Sequence, residues 1–342
     1  MTADVLVVGA GICGAACALE LQDRGVHVLL LDRGEVAMGT TGLGEGNVLA
    51  ADKPPGPELE LARAGRAVWH ELAARFPAAV KLRAKGALVL FEDEGAAAFA
   101  AGLGADAEVV DDPRAEEPAL VCGLPPAVLV PGDLQVDPRA TAQAMAAEVP
   151  VRTGAEVVRA EAGGVELADG ERLAADAVVV AAGPWTASLV PELDVRPRKG
   201  QLVALGPAPG LVRRKCLEAA YVDLRGVASV IEEALSGEVY IGSSRAWAGF
   251  DTTVDVAVTE QLLTRARRWM PGLADLPVTR TWAGLRPFLA GGPVHDRLPS
   301  GVWACTGHEG AGVGLGPVTA RLLADALLGV PSAAYPARRR ES

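Results

Sequence analysis

Three glycines with a fixed spacing stand near the start of the chain and could hold a nucleotide. Gly9, Gly11 and Gly14 follow an apolar segment at residues 4–8. Gly9 permits a tight turn, Gly11 lets the backbone approach a pyrophosphate, and Gly14 lets a helix pack closely against a sheet. Asp32 closes the next apolar segment, where a carboxylate can accept a hydrogen bond from a ribose 2′-hydroxyl. The pattern predicts a dinucleotide site; the alternative is a glycine-rich βαβ unit that binds nothing.

The elements that must position these residues follow from the apolar pattern. Residues 4–8 and 26–31 are typical of strands, with a helix between them. Similar α/β segments occur at both ends and in the middle of the chain, whereas two strand-rich blocks, 80–134 and 195–284, look inserted between them. Residues 107–134, dense in Pro, Asp and Glu, predict a loop.

Composition and charge narrow the class of protein. The chain has 342 residues, of which 50% are hydrophobic and 22% charged, and this is typical of a globular protein. The net charge is −11, and positive charge clusters in the tail Arg338-Arg339-Arg340. We therefore expect no nucleic-acid partner and interpret the tail as a solvated end.

The cysteines and the first residues bear on the cellular compartment. Cys13, Cys17, Cys122, Cys216 and Cys305 form no CxxC pair and show no metal-ligand spacing, so we expect a reducing compartment and no bound metal. Three residues precede the first strand, which leaves no room for a signal peptide, and no apolar run reaches the length of a membrane span. We therefore expect a cytoplasmic protein without a membrane span.

Several short motifs are distributed in order along nearly the whole chain. They are residues 7–14 (VVGAGICG), 39–41 (GTT) with 46–47 (GN), 136–138 (VDP), 181–185 (AAGPW), 199–201 (KGQ), 282–287 (WAGLRP) and 306–314 (TGHEGAGVG). In this combination the chain resembles the D-amino-acid oxidase superfamily of FAD-dependent oxidoreductases. That superfamily includes glycine and sarcosine oxidases and the opine or hydroxyproline dehydrogenase subunits.

The resemblance implies an α/β fold with a Rossmann-like FAD-binding domain and an interleaved mixed-sheet substrate domain over the flavin ring. We assign residues 1–79, 135–194 and 285–342 to the FAD-binding domain, and 80–134 and 195–284 to the substrate domain. It also implies hydride transfer from a substrate C–H beside nitrogen to the flavin, which gives an imine that hydrolyses to a carbonyl. No cysteine stands where the sarcosine-oxidase branch attaches its flavin, so we expect FAD to be bound non-covalently.

The same resemblance implies a set of cofactor-binding residues. Glycines 307–314 would let backbone N–H groups approach the flavin edge, and the following helix would stabilise an anionic reduced flavin with its positive end. Gly183 would lie beside the adenosine, where a side chain would crowd the nucleotide. The full predicted set is Gly9, Gly11, Ile12, Cys13, Gly14, Asp32, Arg33, Thr40, Thr41, Gly46, Asn47, Gly183, Trp185, Gly284, Gly307, Gly310, Ala311, Gly312, Val313 and Gly314.

Arg286 is the predicted substrate residue. In the family, the arginine of this motif often binds a substrate carboxylate, and a guanidinium does so with two parallel hydrogen bonds. A structural ion pair is the alternative. Tyr221 and Tyr240 are further candidates because family members use tyrosines from the substrate domain, and His308 could contact the flavin or simply pack.

Two departures from the family pattern affect the choice of substrate. Where the glycine-oxidase type has another arginine after His308, this chain has Glu309-Gly310-Ala311, which could favour a substrate with a second amino group. Residues 288–292 (FLAGG) lack the acidic residue usual there.

The reaction leaves alternatives open at this stage. The first is an amine or amino-acid oxidase that passes electrons to O2. The second is the FAD subunit of an opine- or hydroxyproline-type dehydrogenase with another electron acceptor. Assembly with a partner subunit or into a homo-oligomer is therefore an open alternative. The others are a flavin-fold protein that binds without catalysing and an NAD enzyme that uses Asp32. In the enzyme interpretations the partner is a small-molecule amine or amino acid.

Overall fold

The computed structural model describes residues 3–222 and 226–331, so the basic tail at 338–340 lies outside the described residues. The strands are β1 (Val5–Val8), β2 (Val28–Leu31), β3 (Asn47–Val48), β4 (Ala87–Leu90), β5 (Glu108–Val110), β6 (Ala127–Val130), β7 (Leu134–Gln135), β8 (Val151–Arg152), β9 (Val157–Glu161), β10 (Gly164–Leu167), β11 (Arg172–Ala174), β12 (Ala177–Val180), β13 (Arg196–Leu205), β14 (Lys215–Glu218), β15 (Val227–Glu233), β16 (Val239–Ser244), β17 (Val278–Phe288), β18 (Val294–Arg297) and β19 (Trp303–Thr306). The helices are α1 (Ile12–Asp23), α2 (Pro57–Arg75), α3 (Pro77–Val80), α4 (Ala96–Leu103), α5 (Pro113–Glu116), α6 (Pro138–Ala146), α7 (Thr186–Leu189), α8 (Ala219–Val222), α9 (Val256–Trp269) and α10 (Gly312–Leu327). The fold is mixed α/β, as predicted.

A six-stranded sheet contains the glycine turn. Its order is β18-β19-β12-β1-β2-β8, and every neighbouring pair is parallel except β18–β19. Val5 and Val7 of β1 join the core on the side of α1, and Leu6 and Val8 join the core on the opposite face. Because both faces are covered, β1 reads VLVV without polar alternation.

Helices α1 and α10 lie against this sheet in close contact. A Cβ on Gly316 of α10 would lie 3.0 Å from Cys13 Sγ on α1, and a Cβ on Gly65 of α2 would lie 2.6 Å from the carbonyl oxygen of Gly314. Helix α1 follows β1 and helix α10 follows β19, and these two strands point the same way. The N-terminal ends of both helices therefore face the same edge of the sheet.

An eight-stranded mixed sheet forms the second layer, in the order β17-β13-β16-β15-β14-β4-β6-β5. Its neighbouring strands are antiparallel except for the β14–β4 pair. The pair β13–β17 is long and runs in register from Arg196 opposite Phe288 to Ala204 opposite Arg280, after which the register shifts at Leu205. Helix α9 covers one face of this sheet with Leu262, Ala266 and Trp269, which leaves the other face toward the first layer.

The described strands bear on two sequence expectations. Strands β4–β6 and β13–β17 build the eight-stranded sheet, and β17 continues past residue 284 to Phe288, so the domain boundary predicted there falls inside a strand. The loop predicted for residues 107–134 was wrong, because that segment contains β5, α5 and β6. Strand β5 has only three residues and is held by pairing with β6, which the local composition does not reveal.

Among the described residues, no helix is both long and apolar enough to cross a membrane. All five cysteines lie in the described part of the chain, and all are free thiols.

Candidate active site

A large cavity lies where the two sheets meet. Its volume is about 470 Å³, within the range of roughly 300–1,000 Å³ that is usual for ligand and cofactor sites. Gly9 and Asp32, which directly follow β1 and β2, line one part of it, and Arg286 and Glu309 line another. The cavity is therefore shared between the two layers of the fold.

Most of the residues predicted from the sequence line this cavity. These are Gly9, Gly11, Ile12, Cys13, Asp32, Arg33, Thr40, Thr41, Gly46, Asn47, Gly183, Trp185, Tyr221, Gly284, Arg286, His308, Gly310, Gly312 and Val313. The other predicted residues, Gly14, Tyr240, Gly307, Ala311 and Gly314, are not part of its wall.

The glycine turn has the geometry that its spacing predicts. Gly9 has a φ of 105°, and a Cβ there would lie 2.5 Å from the carbonyl oxygen of Ala181. A Cβ on Gly14 would lie 1.7 Å from the carbonyl oxygen of Gly9, so Gly14 serves the packing of α1 on the turn. Helix α1 begins at Ile12 with Gly11 as its N-cap and without a capping side chain. Its positive end therefore faces the cavity, as an anion-binding helix terminus does.

Asp32 closes the turn as well as lining the cavity. One carboxylate oxygen accepts from the Ala10 N–H at 2.7 Å, and the other accepts from the Gly34 N–H at 2.8 Å. Each oxygen keeps a second lone pair for a ligand hydroxyl. Nearby, the Arg33 guanidinium carbon lies 4.2 Å from the centre of the Trp185 ring.

The loop at residues 40–47 joins the glycine turn to the second sheet. Thr41 Oγ1 accepts from the Ile12 N–H at 3.0 Å, and Thr40 Oγ1 donates to the Leu285 carbonyl at 2.7 Å. A Cβ on Gly46 would lie 1.9 Å from the Val136 carbonyl oxygen, which explains the glycine at that position.

A buried charged group supports the same loop from beneath. Lys215 Nζ donates to Asn47 Oδ1 at 2.7 Å and lies 3.6 Å from Glu45 and 3.4 Å from Glu232. Burial alone would lower the pKa of Lys215, but the carboxylates of Glu232 and Glu45 raise it above its ordinary value. Lys215 therefore stays charged and holds Asn47 in place.

The start of α10 forms part of the wall beside Arg286. Gly310, Gly312 and Val313 line the cavity. Gly314 instead packs, since a Cβ there would lie 3.3 Å from the Asn47 carbonyl oxygen, and Gly307 has a φ of 82° in the turn before the helix.

Arg286 lies across Gly200 of the neighbouring strand. A Cβ on Gly200 would lie 2.4 Å from the guanidinium carbon, so only glycine leaves room for this side chain. Arg286 Nη1 donates to the Ser244 carbonyl at 2.8 Å, and Nη2 donates to Ser243 Oγ. Tyr221 lines the cavity beside it, with its hydroxyl 3.9 Å from a Cβ built on Gly310.

Glu309 faces three arginines. Its Oε1 lies 3.4 Å from Arg245 Nε and 3.7 Å from Arg198 Nη1. Burial would raise the pKa of this carboxyl group, but Arg286, Arg245 and Arg198 hold it below its ordinary value. Its Oε2 accepts from the Gly310 N–H at 2.7 Å. The side chain is therefore an anion inside a cationic surrounding.

His308 is 2% exposed and is held between two neighbours. Its Nε2 lies 2.9 Å from Thr319 Oγ1, and its Nδ1 lies 3.8 Å from Cys13 Sγ. Burial lowers the pKa of the imidazole below its ordinary value, so the ring is neutral at pH 7. The sulfur atoms of Cys13 and Cys305 and a ring nitrogen of His308 lie within 4.8 Å of one another. Cys13 and His308 are 295 positions apart in the sequence, so no local pattern indicates this grouping.

Tyr240 is not brought to the cavity. Its hydroxyl accepts from Arg280 Nη2 at 3.1 Å, and its ring lies edge-on to Trp282 with the ring centres 5.2 Å apart. Sequence reasoning missed Arg245 of the turn after β16 and Arg198 of β13, both of which contact Glu309. It also missed Lys215, which holds Asn47. Arg198 stands opposite Arg286 across the β13–β17 pair, so strand register was the signal that could have found it.

The walls fit a dinucleotide cofactor. The first residues of α1 and α10 both lie in the wall, so two helix N-termini present their positive ends to it. A Cβ on Gly183 would meet no protein atom within 4 Å, which leaves space there for a ligand. The fold and this site define a dinucleotide-binding protein of the α/β class.

Comparison with known proteins makes the assignment more specific. The sequence model of the family described as FAD dependent oxidoreductase matches residues 4–326. Glycine oxidase of Pseudomonas putida is 30% identical over 98% of this chain and 98% of its own length. The crystal structure of glycine oxidase from Geobacillus kaustophilus has a TM-score of 0.86, with 27% identity over 97% of this chain and 96% of that one. The structure of iminodiacetate oxidase from Chelativorans sp. BNC1 has a TM-score of 0.84, with 25% identity over 98% of each chain.

The chain belongs to this family of FAD-dependent oxidoreductases. It is therefore an FAD-binding enzyme that acts on C–N bonds of amines or amino acids. This assignment removes the NAD enzyme and the non-catalytic flavin protein from the alternatives.

Proposed function

We propose that this protein oxidises the C–N bond of an amine that carries a carboxylate, with O2 as the electron acceptor. When bound, FAD supplies the acceptor for a hydride from the carbon beside nitrogen, and the resulting imine hydrolyses to a carbonyl compound. The observation that carries the proposal is the position of Arg286 in the wall of the cofactor cavity.

The arrangement of Arg286 suits a carboxylate. Two of its N–H groups are directed to Ser244 and Ser243, which fixes the plane of the guanidinium. A guanidinium has five N–H groups, so others stay available for two parallel bonds to a carboxylate. Fixing the carboxylate in this way would orient the adjacent carbon toward the flavin. Tyr221, which lies beside Arg286 in the same wall, would limit the volume open to the substrate.

The names of similar proteins support the same chemistry. Glycine and iminodiacetate are both amines with a carboxylate one carbon from nitrogen. We propose that the residues of the glycine turn and the first residues of α10 hold FAD non-covalently in this protein. In this arrangement the neutral His308 ring, hydrogen-bonded to Thr319, would hold this part of the cavity wall in place rather than transfer a proton.

A substrate panel tests the proposal by bleaching of the flavin absorbance without oxygen. The panel contains glycine, N-methylglycine, iminodiacetate, both enantiomers of proline, and both enantiomers of aspartate and asparagine. Methylamine and dimethylamine serve as partners that lack a carboxylate. We expect at least one carboxylated amine to reduce the flavin at least a hundredfold faster than its partner. Equal rates for a compound and its partner, or no reduction by any compound, would overturn the proposal.

The electron acceptor is tested with the same substrate. We expect formation of H2O2 in step with substrate consumption in air. Rapid turnover with a redox dye and no peroxide would identify a dehydrogenase instead, and would direct the search to a partner subunit.

A further inference from the structure

A cluster of three arginines and one glutamate stands at the substrate end of the cavity. Arg198, Arg245 and Arg286 surround Glu309, and Arg286 and Glu309 line the cavity itself. Arg198 is influenced by the charges of Glu309, Arg245 and Arg286. Within this arginine cluster three guanidinium groups face one carboxylate. These four groups together carry a charge of about +2, since arginine stays protonated in proteins.

The single carboxylate in the cluster is loosely bound to its arginines. Glu309 Oε1 lies 3.4 Å from Arg245 Nε and 3.7 Å from Arg198 Nη1. A charge-assisted hydrogen bond between a guanidinium and a carboxylate is ordinarily about 2.7–2.9 Å long. Glu309 also has a φ of 48°, a conformation that a residue with a side chain rarely adopts. The contacts of Glu309 with Arg245 and Arg198 are therefore longer than those of a well-formed guanidinium–carboxylate pair.

Arg245 lies directly behind the cavity wall. Its guanidinium carbon is 4.4 Å from the centre of the Tyr221 ring, and Nη1 donates to the Tyr221 carbonyl at 3.3 Å. Its side chain is only 3% exposed, whereas Glu309 in front of it is 18% exposed. A rotation of the Glu309 side chain into the cavity would therefore open Arg245 and Arg198 to a ligand.

We propose that the substrate carries two carboxylates, one bound by Arg286 and the other bound by Arg245 and Arg198 in place of the Glu309 carboxylate. This inference rests on the proposed oxidation of a carboxylated amine and adds the second charged group. It differs from the expectation of a second amino group opposite Glu309. A cationic group there would meet one carboxylate but would be repelled by three guanidinium groups.

Binding of matched ligands tests the second carboxylate site without turnover. Succinate and succinamate have nearly the same shape and differ in one carboxylate, and their binding to the holoenzyme can be followed by the shift in the flavin spectrum. We expect succinate to bind at least tenfold more tightly. We also expect L- or D-aspartate to exceed the corresponding asparagine in kcat/KM by a similar factor.

The direction in which a Glu309 substitution changes the Kd of succinate shows whether this glutamate competes with a substrate carboxylate. If Glu309 competes with a substrate carboxylate, Glu309→Gln should lower the Kd of succinate about threefold to tenfold. Glu260→Gln, at an exposed position on α9, is the control and should leave that Kd unchanged. Arg245→Gln should reduce the preference for succinate over succinamate below threefold. Because Arg245 is buried and its loss could prevent folding, Arg198→Gln provides the same comparison at a more exposed side chain.

The outcomes are distinguishable from those of the substrate panel. Equal affinity for succinate and succinamate, or weaker succinate binding in E309Q, would overturn the second carboxylate site even if the panel identifies a substrate. A clear preference for succinate with no reduction of the flavin by any amine would instead support the site and overturn the proposed function.

Discussion

At the scale of single residues, the position of Arg286 depends on its neighbours. Its guanidinium is fixed by donation to Ser244 and Ser243 and lies over Gly200. The side chain is therefore oriented before a ligand arrives, and little conformational entropy has to be lost on binding. This arrangement distinguishes it from an arginine that serves only as a surface ion pair.

Replacing Arg286 by alanine should raise KM for a carboxylated substrate roughly a hundredfold, because a bidentate charged pair contributes a few kcal/mol. The flavin spectrum should stay unchanged. Steady-state kinetics and an absorbance spectrum provide the measurement. Arg280→Ala is a matched control on the same strand, since the Arg280 guanidinium carbon lies 4.1 Å from the centre of the Trp282 ring, outside the cavity wall. An unchanged KM in R286A would place the carboxylate anchor elsewhere.

His308 should make the stability of the protein depend on pH. Burial lowers the pKa of its imidazole in the folded state, so the unfolded chain takes up a proton at a pH where the folded chain does not. The contribution of His308 to the free energy of unfolding should therefore be fully present above about pH 6.5, the usual pKa of histidine. As the pH falls below that value, the free energy of unfolding should decrease by up to about 1.4 kcal/mol per pH unit.

The measurement is the urea midpoint between pH 7.5 and 5.5. His308→Gln should flatten this dependence, whereas His70→Gln, at an exposed position on α2, should keep it. The same pH dependence in H308Q and the wild type would mean that other groups cause it.

At the scale of elements, the pairing of β13 with β17 builds the substrate end of the cavity. In this register Gly200 stands opposite Gly284, and Arg198 stands opposite Arg286. The two glycines leave room for neighbouring side chains, and the two arginines supply positive charge at the substrate end of the cavity. A shift of one residue in register would turn these side chains to the other face of the sheet.

Gly200→Ala tests this arrangement. The added methyl group would lie 2.4 Å from the guanidinium carbon of Arg286, so the side chain has to move away from Ser244 and Ser243. We expect KM to rise tenfold or more with a small loss of stability, because the displaced atoms belong to the end of a flexible side chain. Gly272→Ala is the control, since a Cβ there meets no atom within 4 Å. Normal kinetics in G200A would show that Arg286 binds no substrate from its observed position.

Much of the cofactor end could be predicted from the sequence, and the physical reason is locality. Gly9, Gly14 and Asp32 act within one βαβ unit, so spacing alone defines the turn, the helix packing and the acidic end. The substrate end depends instead on pairing between distant strands. Arg245 reaches Glu309 across 64 positions of sequence, and no local pattern marks it. Tyr240 shows the reverse case, where residue type suggested a role that the packing against Arg280 does not support.

At the scale of the whole molecule, the cavity joins the two sheets. Its wall contains residues from the six-stranded sheet, from the loop at 40–47 and from β13 and β17 of the eight-stranded sheet. The mixed α/β fold predicted from the sequence is confirmed, whereas the domain boundaries stay a prediction. A ligand that fills this cavity contacts both layers at once.

FAD should therefore stabilise both layers together. At a free concentration one hundred times its Kd, a ligand adds about 2.7 kcal/mol to the stability, which corresponds to a rise in Tm of about 4 °C for a chain of this length. Differential scanning calorimetry of the apoprotein with and without FAD gives the measurement. ADP, which resembles only the adenosine end, should produce a smaller rise. Two transitions of which FAD moves only one would show that the sheets unfold independently.

The strand order of the six-stranded sheet has a consequence for the timing of synthesis. Strand β1 is made first, but its neighbour β12 begins at Ala177, and β19 beyond it begins at Trp303. At roughly 5–20 residues per second, the nascent β1 waits on the order of ten seconds for its partner on one side. The second helix terminus of the cofactor cavity exists only once Gly312 and the residues after it have left the ribosome. Capture of FAD is thus a late event in the life of the nascent chain. Until β12 is made, α1 covers only the face of β1 that carries Val5 and Val7.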